Sequence, residues 1–95
     1  DTLAKIHHAM GDNEAALLLA RQALAIRKAA LGRRHPEYAT SLDILFVLHR
    51  SMGDYEAGLP LIEELVARNK EVLGERHPNY ATALSNLASF RSAMG

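Results

Sequence analysis

At 95 residues, with 11 basic and 11 acidic side chains, the chain carries no net formal charge, which removes any overall pull toward nucleic acid or an anionic membrane. It contains no cysteine, so neither a disulfide framework nor a thiolate metal site is available, and a reducing, cytoplasmic setting is compatible with that usage. Apolar residues make up 48% but aromatics only 5%, and the dominance of Ala and Leu favours helix over sheet. The longest apolar run, Ala15 to Ala20, is far too short to span a bilayer, and no signal peptide opens the chain, so a soluble, non-secreted protein is expected.

Taken in order, Asp1 to Met10 reads as the tail of a helix, with Leu3, Ile6 and Met10 at helical spacing and Gly11 as its stop. Asp12 is placed to cap a second helix running from about Asn13 to Leu31, with Glu14 in its first turn. Leu17, Ala20, Leu24 and Leu31 fall close to one stripe of it, and Ala16 and Ala23 keep the contact face shallow. Arg27 and Lys28 sit near its negative end, and Gly32 stops it. Pro36 opens the next helix at a position where a missing N–H costs nothing, which makes His35 its N-cap or the residue before it. Between Pro36 and Met52, the residues Tyr38, Leu42, Leu45, His49 and Met52 form one continuous face.

Gly53-Asp54 repeats the stop and restart. The helix that follows, about Tyr55 to Leu73, is expected to bury Leu59, Ile62, Leu65, Val66 and Val72. Gly58 and Pro60 sit badly inside it. Pro60 removes the bond to the Glu56 carbonyl and crowds that oxygen, which predicts a kink, a late start or a frayed first turn. A last helix from Pro78 to Met94 repeats the face as Tyr80, Leu84, Leu87, Arg91 and Met94, with Phe90 beside it. Nothing reads as strand.

These elements repeat. Residues 31–40 return as 73–82 with eight of ten positions identical, and Met10-Gly11-Asp12 returns as Met52-Gly53-Asp54 and Met94-Gly95. Sliding the 95-residue chain by 42 leaves 53 comparable positions (95 − 42), of which 24 are identical. A period of this size means stacked supersecondary units. The five helices alternate as A, B, A, B, A, and turns of two to four residues force antiparallel neighbours. The expected fold is therefore all-α: an α-solenoid of about two and a half antiparallel helix pairs. It divides into a partial repeat over residues 1–32, a full repeat over 33–74 and the first helix of a further repeat over 75–95.

The unit Leu-Gly-x-x-His-Pro-x-Tyr-Ala-Thr-x-Leu, followed by Met-Gly-Asp-Tyr-x-x-x-Leu and a long second helix, resembles the kinesin light chain type of tetratricopeptide repeat. That type has this longer spacing in place of the usual ~34 residues, and it is abundant in bacterial multi-repeat regulatory proteins. The resemblance implies a right-handed superhelix whose A helices line a concave groove for an extended or helical peptide. Carried over by register, the groove positions are Lys5 and His8 on the first A helix, Asp43, Val47 and Arg50 on the second, and Ser85, Ser89 and Ser92 on the third. Family members often carry Leu-Asn-Asn-Leu-Ala near the start of helix A, the second Asn meeting ligand backbone. Leu84-Ser85-Asn86-Leu87-Ala88 keeps it as Asn86, whereas Ile44 and Thr2 replace it in the other units. The implied role is a non-catalytic scaffold that binds a protein or peptide; the competing reading makes these ordinary solvated helix positions.

An enzymatic reading must account for His7, His8, His35, His49 and His77. His7 and His49 share one repeat position, and His35 and His77 share another. Such repetition is what structural roles produce, whereas a catalytic site needs unlike groups converging. With no phosphate loop, His-Glu-x-x-His or nucleophile motif, no catalytic residue, cofactor or metal ligand is assigned. Arg33-Arg34 is a weak hint of nucleic acid at neutral net charge, and Glu63-Glu64 beside Glu56 reads as a wet helix face. Gly32, His35, Pro36, Gly74, His77 and Pro78 are assigned to fastening the loops between repeats. Finally, Leu84, Leu87, Phe90 and Met94 lack a following helix and should expose an apolar patch. This supports an alternative role as an architectural segment that pairs end to end in a homo-oligomer.

Overall fold

The structure, a computed structural model, describes residues 13–95. The expected helix tail at Asp1–Met10, the Gly11 stop and the Asp12 cap lie outside the described residues. Four helices follow one another: α1 (Asn13–Leu31), α2 (Pro36–Ser51), α3 (Tyr55–Leu73) and α4 (Pro78–Met94). Each packs on its neighbour in sequence, and no strand occurs among the described residues. The fold is an all-α solenoid of antiparallel helices.

The helix boundaries follow from local chemistry that occurs twice. Gly32 and Gly74 hold φ of +87° and +94°, a region that Cβ makes costly for other residues. Their N–H groups close the ends of α1 and α3 on the carbonyls of Lys28 and Lys70, at 3.1 Å in each case. Three residues later a histidine caps the next helix. His35 Nδ1 accepts the Glu37 N–H at 3.1 Å, and His77 Nδ1 accepts the Asn79 N–H at 3.0 Å. The imidazole does the work usually given to Ser or Asp at an N-cap, and proline follows at the first helical position.

Helix α3 runs unbroken through Pro60 from Tyr55, so the expected late start does not occur. Asp54 caps it through the Ala57 N–H at 3.3 Å, and the Gly58 N–H reaches the Asp54 carbonyl at 3.1 Å, which fixes the first turn ahead of the proline. Pro60 and Glu56 are both exposed, so the carbonyl left without its helical partner lies on the solvent side, where its cost is smallest.

Two apolar clusters hold the stack together. Ala16 and Ala20 of α1 meet Leu45 and Leu48 of α2. Tyr38, Leu42 and Phe46 of α2 join Ile62 and Leu65 of α3 and Ala83 and Phe90 of α4. The face Tyr38, Leu42, Leu45 and His49 is buried as its periodicity requires.

On α4 the matching face is not. Ala83 and Phe90 are its buried residues, whereas Leu84, Arg91 and Met94 are exposed and Tyr80 and Leu87 are half-buried. The reason is that α2 lies between α1 and α3, while among the described residues α4 packs mainly on α3 and reaches α2 through Phe90.

Phe90 also explains the awkward glycine of α3. Its ring sits edge-on to Phe46 and to Tyr55, at centroid distances of 5.0 and 5.1 Å. A Cβ at Gly58 would lie 2.7 Å from Phe90 Cζ. One period earlier, Ala16 and Leu48 occupy these two positions in the α1–α2 cluster. The larger ring is accommodated by the smaller residue opposite.

Candidate functional site

Helices α2 and α4 run side by side over α3 and leave a groove of about 410 Å³ between them. Pro36, Ala39, Thr40 and Asp43 form the α2 wall, at the spacing that places residues on one helical face. Asn79, Thr82, Ala83 and Asn86 form the α4 wall, and Leu65, Arg68, Asn69 and Leu73 of α3 form the floor. The walls are made of short side chains. Thr40 and Thr82 turn their hydroxyls back onto the carbonyls of Pro36 and Pro78, at 3.2 and 3.1 Å. The Asn86 amide makes no hydrogen bond among the described residues, which leaves a donor and an acceptor facing the groove.

The floor is polar at one end, and that polarity fixes the walls. Arg68 is buried. Its Nε donates to the Arg33 carbonyl at 2.9 Å and its Nη2 to the Arg34 carbonyl at 2.8 Å, so it grips the α1–α2 loop. Nη1 donates to Asn69 Oδ1 at 2.8 Å, and Asn69 Nδ2 donates in turn to the Asn79 carbonyl at 3.3 Å, in the first turn of α4. One connected pair of side chains therefore ties both walls to the floor. Burial, and then the charges of Arg34 and Arg33, lower the pKa of Arg68 below the ordinary arginine value.

Glu64 anchors the loop from the same helix. The Tyr38 hydroxyl donates to its carboxylate, and Arg33 Nε lies 3.5 Å from the same oxygen. Burial, followed by the hydrogen bond to Glu64 and its negative charge, pushes the Tyr38 pKa up to about 12, with Arg33 opposing. Arg34 pairs with Glu71 at 3.1 Å, so both arginines of the dipeptide that hinted at nucleic acid are engaged by carboxylates of α3. Glu63 pairs with Arg91 at 2.9 Å. The run Glu63-Glu64 is thus a pair of inter-helix contacts and not merely a solvated face.

Among the expected groove residues, Asp43 and Asn86 line the groove, and Val47, Arg50, Ser85 and Ser89 do not. Val47 packs against the core, and the Arg50 guanidinium lies over the Phe46 ring at 5.3 Å. Ser85 and Ser89 are exposed; two and six residues after Ala83, they fall on the far side of α4. Ser92 is likewise exposed, while Lys5 and His8 lie outside the described residues.

Periodicity misses Arg68 and Asn69 because they depart from it: Ile26 and Arg27 stand one period earlier. That break was the available signal. Arg27 instead donates to Ser41 Oγ at 2.7 Å. His49, on the buried face of α2, has its Nδ1 3.3 Å from Asp54 Oδ2 beside the cap of α3. No group of three or more potential metal ligands occurs among the described residues, and none of their helices is long and apolar enough to cross a membrane.

Comparison with known families agrees with this architecture. Two family models, each described as a tetratricopeptide repeat, match the chain, one over residues 1–37 and the other over residues 46–95. No curated protein matches it.

Proposed function

The chain belongs to the tetratricopeptide-repeat family, whose repeats are generally protein–protein interaction modules, and we propose that its α2–α4 groove holds a peptide segment of a partner protein. The observation that carries this reading is the Asn86 amide, without a hydrogen-bond partner among the described residues, beside short-walled space over Leu65 and Leu73. An amide that donates and accepts matches the peptide unit, and the apolar floor receives a side chain between the walls. Arg68 and Asn69 hold those walls in place before a ligand arrives, which lowers the ordering cost of binding.

In this reading residues 33–74 form one full repeat, with α2 and α3 as its two helices, and the protein acts in the cytoplasm without catalysis of its own. Peptides selected from a display library against the whole chain provide the test. Asn86→Ala and Asp43→Lys are expected to weaken them tenfold or more, while Arg21→Glu, an exposed change on α1, leaves them unaffected. Peptides that bind all three variants as they bind the wild type would overturn the assignment. A second reading, an architectural segment that associates end to end through its terminal helices, is favoured by the exposed Leu84 and Met94 of α4.

A further inference from the structure

The loops leading into α2 and α4 are closed by the same titratable side chain. His35 Nδ1 accepts the Glu37 N–H, and His77 Nδ1 accepts the Asn79 N–H. The prolines between them have no N–H to offer. The Tyr38 and Tyr80 N–H groups turn to the carbonyls of His35 and His77, at 3.0 Å in each case. Among the described residues the imidazoles are the acceptors that serve Glu37 and Asn79. An imidazole accepts at Nδ1 only while that nitrogen is unprotonated; with a second proton it donates at both nitrogens. Proton uptake would set a donor against the backbone donor and a cation at the positive end of the helix dipole.

The charged groups of the elements that meet at each loop do not offset this. Around His35, Glu37 lies 3.6 Å from Arg27 of α1, while Glu64 and Glu71 of α3 lie 3.5 and 3.1 Å from Arg33 and Arg34. Lys28 of α1 and Arg68 of α3 add positive charge. At the second loop, Glu75 pairs with Lys70 of α3 at 3.4 Å, Arg76 precedes His77, and the first turn of α4 has no acidic residue. Neither capping histidine has a carboxylate at ion-pair distance among the described residues, whereas His49 has Asp54.

We propose that His35 and His77 form a paired, acid-sensitive latch that holds the first turns of α2 and α4 and releases both as the imidazoles take up protons. Protons favour the uncapped state, so the stability each cap contributes is present above the imidazole range, about pH 5–8, and is lost as pH falls through it. The two caps act on one frame. Arg68 holds the Arg33 and Arg34 carbonyls just ahead of His35, and Asn69 holds the Asn79 carbonyl two residues after His77. Losing the caps therefore loosens both attachments of that buried pair. Pro36 and Asn79, in the capped turns, line the groove. Weaker peptide binding in acid follows, and that consequence rests on the groove reading above; the latch itself stands without it and is tested without peptide.

Urea unfolding of the whole chain at about pH 7.5 and about pH 5.5, on either side of the ordinary imidazole titration, tests this on wild type and on the double variant His35→Asn/His77→Asn. Asparagine caps a helix without titrating. One N-cap is worth about fivefold in the folding equilibrium, so between the two pH values wild type should lose up to about 25-fold more than the double variant. His7, His8, His49 and the carboxylates are common to both and cancel in the comparison. NMR of the wild type gives a second readout that needs no variant. At neutral pH both rings should carry their proton on Nε2, and the Glu37 and Asn79 amide resonances should titrate together with the His35 and His77 imidazoles. Equal acid losses in the two proteins overturn the proposal. So does either ring protonated on Nδ1 at neutral pH, or a pair of amides that does not follow the imidazoles; this titration decides alone if the double variant fails to fold.

Discussion

Replacing Gly58 by alanine separates two effects that usually act together. Alanine is favoured over glycine inside a helix by about 1 kcal/mol, so an exposed site would be stabilised. At Gly58, however, the new methyl stands 2.7 Å from Phe90 Cζ, and the ring has little room to retreat: it is 2% exposed and bounded by Phe46 and Tyr55. Overpacking of this kind costs about 1–3 kcal/mol, so Gly58→Ala should be destabilising by about 1 kcal/mol net. Phe90→Leu alone leaves a cavity and should cost about 1–2 kcal/mol. The double variant recreates the Ala16 and Leu48 combination of the preceding repeat and should be more stable than the sum of the single changes by about 1–2 kcal/mol. Urea unfolding followed by far-UV circular dichroism measures all three differences. Additivity within about 0.5 kcal/mol, or a Gly58→Ala variant stabilised by the full propensity gain, would refute the claim that the glycine exists to admit the ring.

Other expectations rest on the polar contacts. Arg68→Met keeps bulk but leaves the Arg33 and Arg34 carbonyls without their donor and should cost about 2–4 kcal/mol, read from thermal melts, whereas Arg34→Met removes an exposed ion pair and should cost less than about 1 kcal/mol. His77→Ala should lose about 1 kcal/mol and His77→Asn retain most of it, since asparagine also accepts the N-terminal N–H; equal losses would show that the cap contributes little. The folded-state pKa of Tyr38 lies above its ordinary value of 10, at about 12, so its contribution to stability is complete below pH 10 and lost as pH rises toward 12. That shift corresponds to about 3 kcal/mol. Tyr38→Phe should remove this alkaline loss, and an unchanged slope of stability between pH 10 and 12 would contradict the assigned cause.

The helices were legible in the sequence because their ends are set locally. A glycine needing positive φ, a histidine whose ring reaches the N–H two residues on, and a proline at the first helical position act within a few residues and recur every 42. The buried face of α2 was legible for a similar reason, since its spacing reports neighbours on both sides. The same spacing misplaced the buried face of α4, because a pattern records which helices a face is suited to meet and not whether one is present. Side-chain partnerships between helices carried no periodic trace. Gly58 and Phe90, Arg68 and the loop carbonyls, and Tyr38 and Glu64 join residues 26 to 35 apart, and each involves a residue that differs from its counterpart one repeat away.

Those departures have a functional consequence. In a strictly periodic stack every interface would be the same, and the groove between successive A helices would have the same lining at each step. Substituting Arg68 for the position of Ile26 and Asn69 for that of Arg27 gives this one step a connected polar floor. Substituting Asn86 for the position of Ile44 gives its wall an amide in place of an aliphatic group. The repeat supplies the frame at low sequence cost, and binding specificity belongs to the positions that break it. If so, exchanging the Arg68-Asn69 pair for Ile-Arg should weaken groove ligands even where the fold tolerates it. Restoring Asn at Ile44 should not create a second site by itself, because Ile26 and Arg27 leave that step without the polar floor. A second site of equal affinity in Ile44→Asn, detected by titration of the selected peptides, would show that the wall amide alone is sufficient.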